Sequence, residues 1–172
     1  AIECGYHGLT FDGCGQCIEA PTQQRIPAAA KVHSYPVQDR YGLLWIWMGE
    51  PQQAAQTPII EIDNHDHPDW HLTQGDSLLC NCHYLWLVDN LLDPSHVAWV
   101  HLSSFAGSGT DDTPMEVTVD DNGVTVWRWL TDTEPPPFYA PYLPFEGRTD
   151  RKQVYEVRYP SNALITAVFT PA

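Results

Sequence analysis

Long apolar runs are missing from this sequence. Every hydrophobic stretch is broken well short of the roughly 20 residues that a membrane-spanning helix requires. Basic residues are scarce: 8 Lys and Arg stand against 22 Asp and Glu, a net charge of −14. A surface that acidic repels phosphate, which argues against nucleic acid and anionic membrane as partners. Internal repeats and low-complexity tracts are absent. Paired cysteines are not indicated either, because five is an odd number and does not suit a secreted disulfide framework. In a reducing cytoplasm, cysteines close to histidines more often bind metal or do redox work. What the chain does have is core-forming material, with 43% hydrophobic and 12% aromatic residues in 172. Its 15 prolines exceed its 11 glycines, which points to many loops and short β elements. The first residue is Ala1, and Ile2-Glu3-Cys4 reads as the middle of a strand. The last residues, Val168 to Ala172, stop just after a strand-like run, so the expectation is a piece of a longer protein.

The pattern along the chain predicts short β elements over the first fifty residues, ending in the strong strand Leu43 to Met48 before Gly49-Glu50-Pro51. The Pro-, Gln- and acid-rich stretch after residue 50 marks a boundary between domains at 1–55 and 56–172. Trp70 to Thr73 is a strand candidate. A helical pattern covers about Tyr84 to His101, with Pro94 opening a new segment near Asp93. Glu116–Val119 and Gly123–Leu130 alternate around Asp120-Asp121-Asn122-Gly123, a β-hairpin signal. Val154–Tyr159 and Ala163–Thr170 are further strands. Trp127 and Trp129 share a face and read as sheet core, and Phe138, Tyr139 and Tyr142 either line a pocket or pack in the core.

Two clusters carry chemistry. The first is Cys4-Gly5-Tyr6-His7, followed by Cys14-Gly15-Gln16-Cys17. Thiolates and an imidazole at this spacing allow a zinc site on Cys4, His7, Cys14 and Cys17. They equally allow half of a [2Fe–2S] centre in which two Cys hold one iron and two His the other, or buried thiols with no metal. The pair Cys80 and Cys82 reads instead as core thiols, since one intervening residue on an extended strand is awkward for two ligands of one metal. The histidines at 33, 65, 67 and 71 read as solvated.

The second cluster is Asp89-Asn90-Leu91-Leu92-Asp93-Pro94-Ser95-His96-Val97-Ala98-Trp99-Val100-His101. Two imidazoles and a carboxylate with open positions suit non-haem Fe(II) and O2. On a regular helix, however, five residues of spacing separate His96 from His101 by about 140° of rotation. The two can converge only if the helix kinks, widens or ends between them, distortions that mark functional sites.

Cys4-Gly5-Tyr6-His7-Gly8-Leu9 resembles the second half of the Rieske motif. The run from Asp89 to His101 resembles the mononuclear-iron motif of the Rieske non-haem iron oxygenases, in the order that family has them. Trp45-Ile46-Trp47-Met48-Gly49-Glu50-Pro51 extends the likeness. The resemblance implies an α+β fold: a β-rich Rieske [2Fe–2S] domain, then a catalytic domain of helices on an antiparallel sheet, each incomplete here. It makes Cys4 and His7 cluster ligands, and His96 and His101 iron ligands. Asp93 becomes the carboxylate linking the iron site to a neighbouring subunit's cluster histidine, with Asn90 beside the iron. The first Cys-x-His pair and the third iron ligand, an aspartate, would lie outside the chain.

The resemblance further implies a cytoplasmic homotrimer acting on a small aromatic substrate with O2. Electrons would come from NAD(P)H through a reductase or ferredoxin. The branch it looks most like includes vanillate O-demethylase and dicamba monooxygenase, which oxidise a methyl group to a hemiacetal that collapses with loss of formaldehyde. The alternatives are the α subunit of a ring-hydroxylating dioxygenase and a non-catalytic zinc module. One departure is His83-Tyr84-Leu85, where the family often has Asn, an aromatic and Lys before the helix.

Overall fold

A computed structural model describes residues Ala1–Ala172. The chain divides into two compact units, Ala1–Thr73 and Gln74–Ala172. Residues 56–73, assigned by composition to the second domain, therefore pack with the first. The reason is local: the Ile62 N–H donates to the Tyr41 hydroxyl at 3.0 Å, and the His65 ring packs edge-on against Tyr41.

The first unit is built from short antiparallel pieces. β1 (Ile2–Glu3), β2 (Thr10–Phe11) and β3 (Cys17–Glu19) form one sheet in that order. β4 (Val37–Arg40) pairs with β5 (Leu43–Ile46) in a hairpin. Its two loop residues, Tyr41 and Gly42, have φ of 61° and 70°, the combination that a tight turn matching strand twist demands. Pro51 then opens the one-turn helix α1 (Pro51–Ala54). No strand forms at Trp70–Thr73. That run of mixed residues has no neighbour to pair with, and a strand without a partner is not stable.

The second unit places helical segments on one face of a four-stranded antiparallel sheet. The strands are β6 (Glu116–Asp120), β7 (Gly123–Thr133), β8 (Thr149–Arg158) and β9 (Asn162–Pro171), in that spatial order. The hairpin predicted around Asp120 to Gly123 forms, with Asp120 paired to Gly123 and the Asn122 N–H donating to the Asp120 carboxylate. The prolines from Pro135 end β7. Along β8 burial alternates strictly. Thr149, Arg151, Gln153, Tyr155 and Val157 point inward, opposite Val126, Arg128 and Leu130 of β7. With Val97, Ala98 and Ala106 from the helical side they make the core. Burying a side chain such as Val126 or Leu130 contributes roughly 1.5–3 kcal/mol. Trp127 and Trp129 lie on the opposite face, level with Val154 and Lys152; Trp129 is exposed rather than core.

The helical face begins with α2 (Tyr84–Leu92). Its N-cap is His83, whose Nδ1 accepts the Leu85 N–H at 3.3 Å. The imidazole thus satisfies one of the orphan donors of the first turn, the job an Asn does in the same place. Cys80 and Cys82 are not core thiols. Residues 80–82 form a tight turn, with the Cys82 N–H donating to the Cys80 carbonyl, so Cys82 stays exposed and Cys80 half-buried.

Candidate metal centre and substrate cleft

The Asp89–His101 run does not form one helix. α2 stops at Leu92, and Asp93 turns extended at φ −99°, ψ 90°. Proline at position 94 then starts a single 3₁₀ turn, Pro94–His96, capped by the Asp93 carboxylate accepting the Ser95 N–H at 2.9 Å. α3 (Val97–Val100) follows for one turn. At His101 the backbone leaves helical values (φ −116°, ψ 25°) and opens into a wide π turn, Leu102–Ala106. The helix therefore narrows before His96 and widens after His101. The two imidazole rings come within 5.4 Å, centroid to centroid, both half-buried.

They meet at a cleft of about 320 Å³, into which Asn90 and Asp93 also turn. All four residues singled out in this run thus line one cavity. Its volume sits at the low end of the range for small-molecule sites. The walls come from elsewhere. Phe105, edge-on to His101 at 5.7 Å, closes one side, and Tyr139, Tyr155, Ile165 and Ala167 close the others. Of the aromatic group noted in the sequence, Tyr139 lines the cleft, whereas Phe138 and Tyr142 are exposed. Tyr155 and Gln153 were not legible beforehand, because both faces of β8 carry polar residues and no apolar alternation marks the inward one.

The electrostatics are simple. Hydrogen bonds from Ser95, reinforced by the nearby His96, hold the Asp93 carboxyl below its ordinary value of 3.8. Asp93 is therefore an anion at every pH at which the fold is expected to work. Burial pushes the phenols of Tyr155 and Tyr139 up, so both keep their protons. A pH–rate profile is accordingly expected to keep the same shape in Asp93→Asn as in the parent, at lower amplitude; a lost limb would show that Asp93 titrates in the working range.

Gly107 ends the π turn at φ 64°, ψ −179°, a region open essentially to glycine alone. A Cβ there would lie 2.9 Å from the ring of Pro136. Gly107→Ala should cost about 1–3 kcal/mol, read as a shift in the urea midpoint.

In the first unit, Cys4 and His7 occupy a loop between β1 and β2 that is closed by two main-chain bonds. The Cys4 N–H donates to the Leu9 carbonyl at 2.8 Å, and the Gly8 N–H donates to the Cys4 carbonyl at 2.9 Å. Gly8 has φ 70°, which lets the loop return. Both ligand-type side chains are exposed. Cys17 is buried, with its thiol donating to the Glu19 carbonyl at 3.3 Å, while Cys14 is exposed on the turn before it. The structure gathers no group of three or more His, Cys, Asp or Glu side chains that could hold a metal, so Cys4, His7, Cys14 and Cys17 do not assemble as a zinc quartet. No helix is long and apolar enough to cross a membrane.

Two family models match the chain: the Rieske [2Fe–2S] domain over residues 1–36, and the vanillate O-demethylase oxygenase C-terminal domain over residues 80–172. Among curated proteins, an iron–sulfur subunit of the toluene-4-sulfonate monooxygenase system of Comamonas testosteroni is 35% identical, over 90% of this chain and 45% of that protein. A vanillate O-demethylase oxygenase subunit of a Pseudomonas species is 32% identical over 94% of this chain and 47% of its own length. The crystal structure of dicamba monooxygenase bound to 3,6-dichlorosalicylic acid superimposes with a TM-score of 0.84 at 30% identity, covering 98% of this chain and 50% of that one. The chain thus spans about half the length of the relatives it matches.

Proposed function

The chain belongs to the Rieske non-haem iron oxygenases of the vanillate O-demethylase type, and on that footing we propose that it carries parts of both redox centres of a terminal oxygenase. The observation that supports this best is the meeting of His96 and His101 at 5.4 Å in one cleft with Asn90 and Asp93. The donor chemistry suits a ferrous ion in part: two imidazoles stand close together with room beside them, and Asp93 lines the same cleft without joining them as a third ligand. The first centre fits in the same partial sense, since Cys4 and His7 project from an exposed loop and offer one thiolate and one imidazole. In this reading residues 1–55 are the cluster domain and 56–172 the catalytic domain, with 56–73 a connecting segment that packs on the first unit.

When bound, the cluster supplies single electrons and the Fe(II) supplies open positions for O2. The residues of this chain do the rest. His96 and His101 would hold the metal. Asp93, kept ionised by Ser95, accepts hydrogen bonds from imidazole N–H groups, in the way a carboxylate orients a metal-bound histidine. In the proposed homotrimer one of those imidazoles is the neighbouring subunit's copy of His7. Asn90 adds a neutral polar group beside the iron. Phe105 and Ile165 exclude water and pack against the face of a planar ring, while the protonated hydroxyls of Tyr139 and Tyr155 orient polar substituents.

The substrate proposed is a small aromatic compound bearing an oxidisable methyl or methoxy group, with oxidative O-demethylation as the reaction. The relatives named above act, by their names, on toluene-4-sulfonate, vanillate and dicamba. The vanillate-type match over residues 80–172 favours this over a ring-hydroxylating dioxygenase α subunit. Electrons would come from NAD(P)H through a separate reductase or ferredoxin, in the cytoplasm. Metal analysis and EPR of the reduced whole protein test the proposal. A rhombic [2Fe–2S] signal with additional mononuclear iron is expected, and stoichiometric zinc without iron would overturn it.

A further inference from the structure

His101 leaves helical backbone values where the π turn begins, and that turn is not self-supporting. Its N-terminal carbonyl, that of His101, accepts the N–H groups of Ser104, Phe105 and Ala106 at 3.0, 3.2 and 3.2 Å. Its C-terminal carbonyls need partners from outside. Ser104 receives the Phe138 N–H at 3.2 Å. Phe105 and Ala106 receive one side chain between them: Arg151 Nη1 donates to the Phe105 carbonyl at 3.3 Å, and Nη2 to the Ala106 carbonyl at 2.7 Å. Arg151 stands on β8, 45 residues further along the chain than Ala106, and is completely buried.

We propose that Arg151 is a positioning residue for the histidine pair, holding the turn after His101 in its widened form so that both imidazoles face one metal. The inference rests on reading His96 and His101 as iron ligands. Three features of the fold point to it. A buried cation is expensive unless it is well partnered, and here both Nη atoms donate to main-chain carbonyls rather than a carboxylate, while Nε has no partner. Those carbonyls are at the end of a helical segment, where the partial charge is negative and a cation is favoured. The guanidinium is a rigid fork that can bind two carbonyls at once and so fix their separation. A regular α turn in the same place would rotate His101 away from His96. The fork makes the wide turn the better-satisfied alternative.

Arg128 provides a matched comparison. It is also buried, on the same face of β7, but its bonds go to Gln153 and to the Thr110 carbonyl, neither of which belongs to the turn. The experiment uses the whole protein with its cluster in place and its mononuclear iron removed, titrated with Co(II) alone. Affinity is read by equilibrium dialysis, and folding by circular dichroism. Arg151→Gln is expected to weaken Co(II) binding, by less than the roughly 10- to 100-fold that losing a direct hydrogen-bond partner of a metal ligand costs, with the cluster spectrum unchanged. Arg151→Lys should fall between the two, since an ammonium cannot grip both carbonyls as a fork does. Arg128→Gln should lower the melting temperature but leave Co(II) affinity at the parent level. Parent-level affinity in Arg151→Gln, or equal losses in Arg151→Gln and Arg128→Gln, would overturn the proposal. Should Arg151→Gln fail to fold, Arg151→Lys decides: weakened binding supports the role and unchanged binding refutes it. His101→Ala is the reference for the underlying reading. If it binds Co(II) as tightly as the parent does, the ligand assignment is wrong, whatever the arginine variants show.

Discussion

Asp93→Asn in the whole protein is expected to keep both the cluster and the mononuclear iron, and to lower turnover by orders of magnitude. The structure explains why this substitution separates the two effects. Asp93 has a local task, capping the 3₁₀ turn that presents His96, through one carboxylate oxygen and the Ser95 N–H. Asparagine caps helical turns about as well as aspartate, and its amide retains that oxygen. The turn, and with it His96, should stay in place. What the amide loses is the negative charge and the second acceptor oxygen, and charge-assisted hydrogen bonds are roughly twice as strong as neutral ones. A carboxylate whose task is to hold imidazoles across a subunit boundary is crippled by that loss, whereas an iron ligand would release its metal. Asp93→Ala should behave differently. It removes the cap as well, at a cost of about 1 kcal/mol, and should loosen the iron through His96. The measurements are iron content, the visible spectrum of the cluster and single-turnover kinetics. Loss of iron from Asp93→Asn, or its normal turnover, would remove Asp93 from the bridging role. Asp89 would inherit that role poorly, since Asn90 lines the cleft and Asp89 does not.

Much of this site could be read from sequence because its determinants are local. Proline at 94 after a capping aspartate breaks the helix wherever it sits in a fold. Five-residue spacing of two histidines states the geometric problem that the 3₁₀ and π turns then solve. The Asp120–Gly123 hairpin likewise follows from turn chemistry and alternation alone. What could not be read is non-local. Trp70–Thr73 has strand-like composition but no partner strand. Cys80 and Cys82 look like core thiols until the tight turn before His83 exposes one of them. The inward face of β8 carries Thr149, Arg151, Gln153 and Tyr155, so no apolar period reveals it. Those polar residues are inward because the helical side of the unit presents main-chain carbonyls and a cleft rather than a closed apolar surface. That is a property of packing, and no single strand encodes it. The missed residues are also the ones that give the cleft its Tyr155 wall and the π turn its Arg151 contacts.

His96→Ala and His101→Ala are each expected to strip the mononuclear iron, abolish turnover and leave the cluster intact. The argument rests on separate ligand sets. His96 and His101 lie in the unit Gln74–Ala172, while Cys4 and His7 lie in Ala1–Thr73, so the two pairs belong to different units. Two imidazoles are all the nitrogen donors this chain brings to the cleft. Removing either leaves one imidazole, too few to hold a ferrous ion against exchange. The two variants should differ in a second respect. His96 ends a turn that Asp93 and Pro94 fix independently of its ring, so His96→Ala should lose only the edge-on pair with His101 and lower the melting temperature slightly. The His101 ring packs edge-on against Phe105, which in turn contacts Phe138 at 4.8 Å. His101→Ala should therefore also lower stability, by about 1 kcal/mol for a lost aromatic pair. Iron per chain, the cluster spectrum and thermal melts read all three effects. His65→Ala, in the other unit beside Tyr41, serves as the control and should change neither metal. A His96→Ala protein that retains its iron would place the metal elsewhere, and the convergence of the two rings would then be only a matter of packing.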